Sequence, residues 1–180
     1  MNPMLCPTRR RLLCALGSLP LAVAGGPAHA LLASERTLRF AHTHTGEKSA
    51  VTYFAAGRYL PDALDEVSTL LRDFRTGAVF PIDATLLDFV HVVQGMTGSR
   101  AAVEIISGYR SPETNARLRQ TTTGVARRSF HMRGQALDIR LNDTDSRALR
   151  DAAVAARLGG VGYYPASDFV HLDTGPVRSW

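Results

Sequence analysis

Two histidines and one aspartate in the second half of the chain are the residue types of a metal site. His131 and Asp138 lie close together in sequence, and Gly134 between them permits a positive φ angle or a close approach of the backbone. His171 lies further along the chain. Two histidines, one carboxylate and an open fourth position can hold a catalytic zinc ion, which lowers the pKa of a bound water to about 7. A core histidine hydrogen-bonded to an aspartate is the common alternative, and spacing alone does not decide between them.

The elements around these residues could bring them together in a sheet. His131 precedes a predicted strand at Ala136–Leu141, and Asp138 lies within that strand. His171 alternates with apolar neighbours in a second predicted strand, Phe169–Asp173, where successive side chains point to opposite faces. If the two strands are neighbours, the three side chains can meet.

The rest of the chain predicts a single α+β domain, with helices packed on a mainly antiparallel sheet. Turn-forming residues at 43–47 separate the strand-like segments Leu38–His42 and Ala50–Phe54, which predicts a β-hairpin. Apolar residues at helical spacing follow Pro61, and the same pattern predicts a second helix from about Asp83. The further predicted elements are a strand at Ala102–Ser107, helices at Pro112–Arg119 and Thr144–Arg157 with Asp143 or Thr144 near the N-cap of the latter, and a strand at Val161–Tyr164.

Residues 1–30 have the pattern of a twin-arginine signal peptide. The arginines at 9–11 precede a short apolar stretch at 12–24, and Ala28 and Ala30 are the small residues that a signal peptidase requires. The apolar stretch is shorter than the roughly 20 residues of a membrane span. We therefore predict export to the periplasm by the twin-arginine route, and a mature domain at 31–180 with no stable membrane span. An uncleaved N-terminal anchor is the alternative.

Charge and cysteine content argue against two other classes of protein. No Asp or Glu precedes Glu35, and without the arginines at 9–11 the 21 basic residues fall to 18, against 16 acidic ones. A mature domain so close to neutral lacks the basic excess of a nucleic-acid-binding protein. Both cysteines, Cys6 and Cys14, lie in the predicted signal peptide. Cysteine catalysis and thiolate zinc sites are therefore excluded for the mature domain.

The motif S-x-H-x-x-G-x-A-x-D at Ser129–Asp138 resembles the zinc-binding motif of the D-alanyl-D-alanine metallopeptidases, which share a fold with the hedgehog signalling domain. This resemblance implies the hedgehog/D-alanyl-D-alanine peptidase fold and a Zn²⁺ site formed by His131, Asp138 and His171. It covers nearly the whole mature chain. A narrower resemblance, to the twin-arginine-exported murein endopeptidases within that family, is carried by His44–Glu47, Leu71–Arg75, Ser107–Ser111, Gly159–Pro165 and Phe169–Gly175.

The same resemblance implies roles for four other residues. Arg110 would bind a substrate carboxylate or the oxyanion of the tetrahedral intermediate through two parallel hydrogen bonds. Ser129 would orient the substrate, or would instead cap the turn before His131. The general base would be Asp168, which lies three residues before the last histidine ligand. Asp173, two residues after that histidine, is the alternative base and could instead orient the imidazole.

The residues and the resemblance together predict a zinc-dependent murein endopeptidase that hydrolyses peptide crosslinks in peptidoglycan. Its partners would be peptidoglycan stem peptides and crosslinks, and no nucleic acid. Two alternatives remain: a zinc D-alanyl-D-alanine-type carboxypeptidase and a non-catalytic peptidoglycan-binding module. An open groove would favour the endopeptidase, and a closed pocket near Arg110 would favour the carboxypeptidase. Neither the bond that is cut nor the oligomeric state follows from the sequence.

Overall fold

A computed structural model describes residues 35–122 and 124–180 of the chain. The predicted signal peptide and the predicted boundary after residue 30 lie outside these residues. The described part forms four α-helices and one eight-stranded sheet, which confirms the α+β prediction, while the hedgehog/D-alanyl-D-alanine peptidase fold stays a prediction. The strands are β1 Arg36–His42, β2 Lys48–Ala55, β3 Arg58–Tyr59, β4 Val103–Ser107, β5 Ala136–Leu141, β6 Gly160–Tyr164, β7 Phe169–Asp173 and β8 Arg178–Ser179. The helices are α1 Pro61–Leu70, α2 Ala84–Thr97, α3 Pro112–Thr121 and α4 Ser146–Ala156.

The sheet is open and mostly antiparallel, in the strand order β3-β2-β1-β4-β5-β7-β6-β8. The hairpin of β1 and β2 joins the other strands through a parallel pairing of β1 with β4, and β8 pairs parallel to β6. The other neighbouring strands are antiparallel. The strands that carry Asp138 and His171, β5 and β7, are therefore direct neighbours, as the metal-site prediction requires.

The helices cover one face of the sheet with apolar side chains. α2 packs against α4 and contacts β1 and β7, while α4 also contacts β5, β6 and β7. Leu137, Ile139 and Leu172 belong to this core and are at most 1% exposed. Because side chains alternate along a strand, Asp138 and His171 point to the opposite face. The core thus holds β5 and β7 in register and leaves their other face for polar groups. In the described residues, no helix is long and apolar enough to cross a membrane.

The predicted helices and strands are all present, and most of their bounds differ from the structure by one or two residues. The helix predicted from Thr144 begins at Ser146, because the Asp145 carboxylate accepts a hydrogen bond from the Arg147 amide at 2.8 Å and caps the first turn. Asp143 instead accepts hydrogen bonds from backbone amides in the connection between α2 and β4. The two-residue strands β3 and β8 were not predicted, since such short segments carry no pattern.

A buried carboxylate joins the loop after α1 to the start of α3. Asp73 is 1% exposed, and its two oxygens accept hydrogen bonds from the Arg75 amide at 3.0 Å and the Ser111 amide at 2.9 Å. Burial alone would raise the pKa of Asp73, but hydrogen bonds from Thr114, Ser111 and Arg75 lower it to about 2. The loop at 73–78 and Arg110, which precedes Ser111, are therefore fixed relative to each other.

We expect Asp73→Ala to lower the free energy of unfolding by about 2–4 kcal/mol, because two buried amides lose a charged partner. A carboxyl group with a depressed pKa stabilises the fold above its unfolded pKa of about 3.9, and this contribution disappears as the pH falls through about 2. The difference between wild type and variant in urea denaturation should therefore shrink between about pH 5 and about pH 2. Asp65→Ala, on the exposed face of α1, is the matched control. A difference in the free energy of unfolding that stays constant over this pH range would contradict the lowered pKa of Asp73.

Candidate metal centre

Neighbouring strands bring the polar residues of the site into one row across the sheet. In the strand register, Asp138 of β5 pairs with Ser107 of β4 on one side and with His171 of β7 on the other. Gly162 of β6 pairs with His171 from the far side. Only 9% of the Asp138 side chain and 11% of the His171 side chain are exposed. Two of the predicted ligands thus lie side by side on the face away from the helices.

His131 reaches the same point from a single turn of 3-10 helix, Phe130–Arg133, which precedes β5. Ser129 Oγ accepts a hydrogen bond from the His131 amide at 3.3 Å and begins the turn, so the capping role predicted for Ser129 is present. Gly134 ends the turn with a φ of +64°. A Cβ at this position would also overlap the Pro81 carbonyl oxygen. Both reasons predicted for a glycine therefore apply.

The three predicted ligands present one atom each to a common point. His131 Nε2 lies 3.2 Å from His171 Nδ1 and 3.2 Å from Asp138 Oδ1. His171 Nδ1 lies 2.8 Å from the same oxygen. A tetrahedral ion with bonds of 2.0–2.1 Å separates its ligand atoms by about 3.3 Å. The triangle therefore has the size of a metal site.

Hydrogen bonds on the outer sides of the two rings decide which nitrogens carry protons. His131 Nδ1 lies 2.8 Å from the Gly108 carbonyl oxygen, and His171 Nε2 lies 3.1 Å from Asp173 Oδ2. A carbonyl and an ionised carboxylate only accept hydrogen bonds, so each ring donates outward and turns its other nitrogen toward the centre. Two imidazole lone pairs and a carboxylate oxygen thus face one another. Such an arrangement meets a metal ion's requirement for unprotonated donor atoms.

The electrostatic environment of each ligand agrees with this requirement. Burial would raise the pKa of Asp138, but His131 and His171 outweigh it and hold the pKa well below its usual range. Burial lowers the pKa of His131. Burial also opposes a charge on His171, yet hydrogen bonds with Asp138 and Asp173 raise its pKa to about 9. The shifts at Asp138 and His131 favour an ionised carboxylate and a neutral imidazole, which are the forms that bind a metal ion.

Asp173 and Arg178 fix the orientation of His171 from behind. Asp173 is fully buried, and Arg178 of β8 donates to its two oxygens, from Nη2 at 2.7 Å and from Nη1 at 3.0 Å. The Gly175 amide donates to Oδ1 as well, at 2.8 Å. Both oxygens of Asp173 are therefore engaged. Of the two roles considered for this residue, the geometry favours orientation of His171 over proton transfer.

Glycines in β6 make room for this support. A Cβ at Gly160 would overlap Arg178 Nη1 and would lie 2.5 Å from Asp173 Oδ2. A Cβ at Gly162 would lie 2.7 Å from the Trp180 ring, whose centroid is 5.4 Å from that of His171. The alternation of glycine along β6 therefore follows from close packing of Arg178 and Trp180 against that strand.

Arg110 lies beside the carboxylate ligand. Its Nη2 donates to Asp138 Oδ2 and to Ser107 Oγ, both at 3.2 Å, so it holds the carboxylate oxygen that does not face the histidines. Its backbone amide donates to the His131 carbonyl oxygen at 3.2 Å. The structure thus brings Arg110 into the site, with 12% of its side chain exposed. Its predicted contact with substrate or oxyanion stays a prediction.

Asp168 is not brought together with the three ligands. It follows a short 3-10 turn, Pro165–Ser167, with a φ of +50°, and 63% of its side chain is exposed. Its carboxylate lies 3.8 Å from Arg140 Nη1. Its chain neighbours Ser167 and Phe169 line the cavity above the site, but Asp168 itself does not. Its role as general base stays a prediction.

A cavity of about 460 Å³ opens onto the three ligand atoms. Among the described residues that line it, Asp138 is the only carboxylate. The cavity is therefore strongly cationic, which suits an anionic ligand. Its basic side chains are His44, Arg75, Arg110, Arg128 and Arg178.

Comparison with known proteins identifies the family of the chain. Residues 31–180 match the sequence model of the Peptidase_M15_2 family, described as peptidoglycan L,D-endopeptidase MepK. The chain belongs to this peptidase family. It is 42% identical, over 175 residues, to the peptidoglycan L,D-endopeptidase MepK of Escherichia coli strain K12, an alignment of 95% of this chain and 96% of the relative. The probable peptidoglycan L,D-endopeptidase MepK of Haemophilus influenzae is 40% identical over 146 residues, 81% of this chain and 78% of the relative.

The site of this M15_2 peptidase includes residues that the sequence prediction missed. Arg178 lies in the two-residue strand β8, and Trp180 directly follows that strand. No sequence spacing rule connects either residue to His171. The Gly108 carbonyl, which orients His131, is a backbone group and has no residue signature. The one available signal was the pair of glycines at 160 and 162, since glycine inside a strand indicates a close approach of another group.

We expect Asp173→Asn to weaken divalent-metal binding by about 10- to 100-fold, because the His171 ring loses a charged hydrogen-bond acceptor. Competition with a chromophoric chelator measures the affinity. Asp65→Asn, a change of the same type on exposed α1, should leave the affinity unaltered. Equal affinities for the Asp173 variant and wild type would contradict the orienting role in this peptidase.

Proposed function

We propose that the protein is a zinc-dependent murein endopeptidase that hydrolyses peptide crosslinks in peptidoglycan. The observation that carries the proposal is the convergence of His131 Nε2, His171 Nδ1 and Asp138 Oδ1, at separations of 2.8–3.2 Å, in an open cationic cavity. Membership in a peptidase family supports peptide-bond hydrolysis. The names of the relatives, which align over most of the chain, support peptidoglycan as the substrate and an L,D bond as the bond that is cut.

Zinc is the ion that suits this donor set best. Two neutral imidazole nitrogens and one carboxylate oxygen are typical ligands of catalytic zinc, and a tetrahedral ion held by three ligands keeps a fourth position open. When bound, zinc supplies a water of lowered pKa and polarises the scissile carbonyl. Side chains of this domain orient the metal ligands, stabilise developing charge and position the substrate.

Three side chains have distinct tasks in the proposed reaction. Asp173 keeps the Nε2 proton on His171, so that Nδ1 stays available as a ligand. Arg110 places a cation beside Asp138, where negative charge that develops on the substrate oxygen is stabilised. Ser129 lies on the cavity wall, and its hydroxyl orients the substrate peptide in addition to capping the turn before His131.

The shape of the cavity favours an endopeptidase over a carboxypeptidase. The cavity wall extends from His44, in the loop between β1 and β2, to Trp180 after β8. We infer that peptide extends on both sides of the ligand triangle, whereas a carboxypeptidase closes one side against the chain end. A crosslinked substrate has peptide on both sides of the scissile bond and needs space for both.

Export to the periplasm by the twin-arginine route is part of the proposal. The arginines at 9–11 and the short apolar stretch after them support it, and the substrate lies outside the cytoplasm.

We expect purified protein to remove crosslinked dimers from a muropeptide digest, and a chelator to abolish this activity. His131→Ala should lose both hydrolysis and bound zinc, because two ligands hold the ion too weakly. Chromatography of the digest and elemental analysis of the protein measure the two effects. His91→Ala, a half-buried histidine on α2, is the matched control and should retain both.

The same digest separates the alternatives. Loss of terminal D-alanine without loss of dimers would establish a carboxypeptidase. Binding of intact muropeptides without any cleavage would establish a binding module. Full hydrolysis by His131→Ala would remove the metal mechanism altogether.

We expect Asp168→Asn to lower kcat by at least about 100-fold with zinc content unchanged, since general-base catalysis contributes about 10²–10⁴-fold. Asp168 is chosen over Asp173 because its carboxylate is exposed, whereas both Asp173 oxygens are engaged. Single-turnover kinetics on a defined crosslinked dimer measure the effect. Wild-type kcat in this variant would exclude Asp168 as the base.

A further inference from the structure

Arg75 is a basic residue of the cavity wall for which neither the metal site nor the fold provides a partner. It lies in the loop after α1, and its guanidinium carbon is 4.1 Å from the centre of the Phe74 ring. His44 stacks on the same ring, also at 4.1 Å. None of the arginine ion pairs within the described residues involves Arg75. The side chain is therefore supported by an aromatic ring, with its charge left for a ligand.

The backbone fixes Arg75 next to Arg110. One buried carboxylate, Asp73, accepts hydrogen bonds from the Arg75 amide at 3.0 Å and from the Ser111 amide at 2.9 Å. Ser111 directly follows Arg110, so a single side chain ties both arginine-bearing segments together. Both arginines line the same cavity, at the ligand triangle.

Two guanidinium groups held near each other repel unless an anion lies between them. Burial lowers the pKa of Arg75; Asp73 opposes this shift, and the charges of Arg110 and Arg117 add to it. The carboxylate of Asp73 is fully used by backbone amides, and that of Asp138 belongs to the ligand triangle. Asp138 already pairs with Arg110, so Arg75 is the guanidinium whose charge a ligand anion would balance.

We propose that Arg75 and Arg110 form a carboxylate subsite, which binds the free carboxylate adjacent to the scissile amide of a peptidoglycan crosslink. The inference rests on the proposed function and names the substrate group that sets its specificity. Arg75 is the specificity-determining member, because Arg110 already donates to Asp138. A planar guanidinium can hold a carboxylate through two parallel hydrogen bonds.

The chemistry of a crosslink between two diaminopimelates fits this position. The nitrogen of the scissile amide is bonded to a carbon that also carries a free carboxylate, about 2.5 Å from that nitrogen. A group that binds this carboxylate must therefore lie beside the metal ligands. Arg110 Nη2 is 3.2 Å from Asp138 Oδ2, and Arg75 lines the same cavity as Arg110. A stem peptide whose carboxylate is amidated keeps the shape of the substrate but loses the charge.

Two crosslinked muropeptides test the proposal, one with the free carboxylate and one with the carboxamide at the same position. We expect wild type to prefer the free acid by about 10-fold or more in kcat/KM, since a hydrogen bond to a charged group contributes about 1.5–3 kcal/mol. Arg75→Ala should raise KM for the free acid by a similar factor, leave kcat within about threefold, and cleave acid and amide equally well. Arg75→Lys, which keeps the charge but not the planar group, should recover part of the preference.

Arg58→Ala is the matched control, because Arg58 lies in β3 at the opposite edge of the sheet. It should keep the wild-type preference. Arg75→Gln preserves most of the stem above Phe74 and replaces the alanine variant if thermal unfolding shows the latter to be destabilised. An Arg75 variant that folds and still prefers the acid as strongly as wild type would overturn the proposal.

Binding to the inactive His131→Ala variant separates this inference from the proposed function. Isothermal titration with the two muropeptides measures affinity without hydrolysis. If wild type cleaves neither compound, the proposed function fails, and the titration still decides the subsite. Tighter binding of the acid that disappears in His131→Ala/Arg75→Ala supports the subsite, and equal affinity for acid and amide overturns it.

Discussion

The structure of the site depends on two hydrogen bonds that point away from it. The Gly108 carbonyl takes the Nδ1 proton of His131, and the Asp173 carboxylate takes the Nε2 proton of His171. Each imidazole must then turn its unprotonated nitrogen inward, toward the ionised Asp138. Without these outer acceptors either ring could adopt the other tautomer and donate to Asp138, and the cluster would become an ordinary buried hydrogen-bond network. The outer acceptors therefore leave the unprotonated nitrogens of both rings facing Asp138, which is the arrangement that a metal ion needs.

Three aspartates connect the loops that surround the site to the sheet. Asp73 joins the loop after α1 to the start of α3, and Asp173 joins β7 to β8 through Arg178. Asp83 caps α2 and accepts hydrogen bonds from Gln135 and Thr174, which flank the ends of β5 and β7. Each carboxylate accepts hydrogen bonds from several groups of the protein, so none of them is an isolated charge. These hydrogen bonds hold each carboxylate, and the segments that donate to it, in a defined geometry. The hydrogen bonds of these aspartates therefore fix the loops that form the cavity walls.

Much of this arrangement is encoded locally. Local sequence predicted β5 and β7 with their correct bounds, and the alternation of His171 with Val170 and Leu172 predicted that its side chain points to the opposite face from theirs. Gly134 predicted the turn that brings His131 to β5, because a positive φ has a residue signature. Only the fold distinguished the two candidate bases, the exposed Asp168 and the fully hydrogen-bonded Asp173. Their distances from His171 in sequence are similar, whereas their burial and partners are opposite.

By itself, the sequence determined the secondary structure apart from β3 and β8, the three candidate ligands and the family resemblance, since these depend on residue types and local motifs. Tertiary structure alone decided which nitrogen of each histidine faces the centre, where Arg178 and Trp180 lie, and that Arg75 and Arg110 share one wall. These features depend on contacts between segments far apart in the chain, such as the β5–β7 and β6–β8 pairings and the link from Asp73 to Ser111. Local patterns carry no information about which distant segment will supply a partner, because that choice is made when the whole core packs.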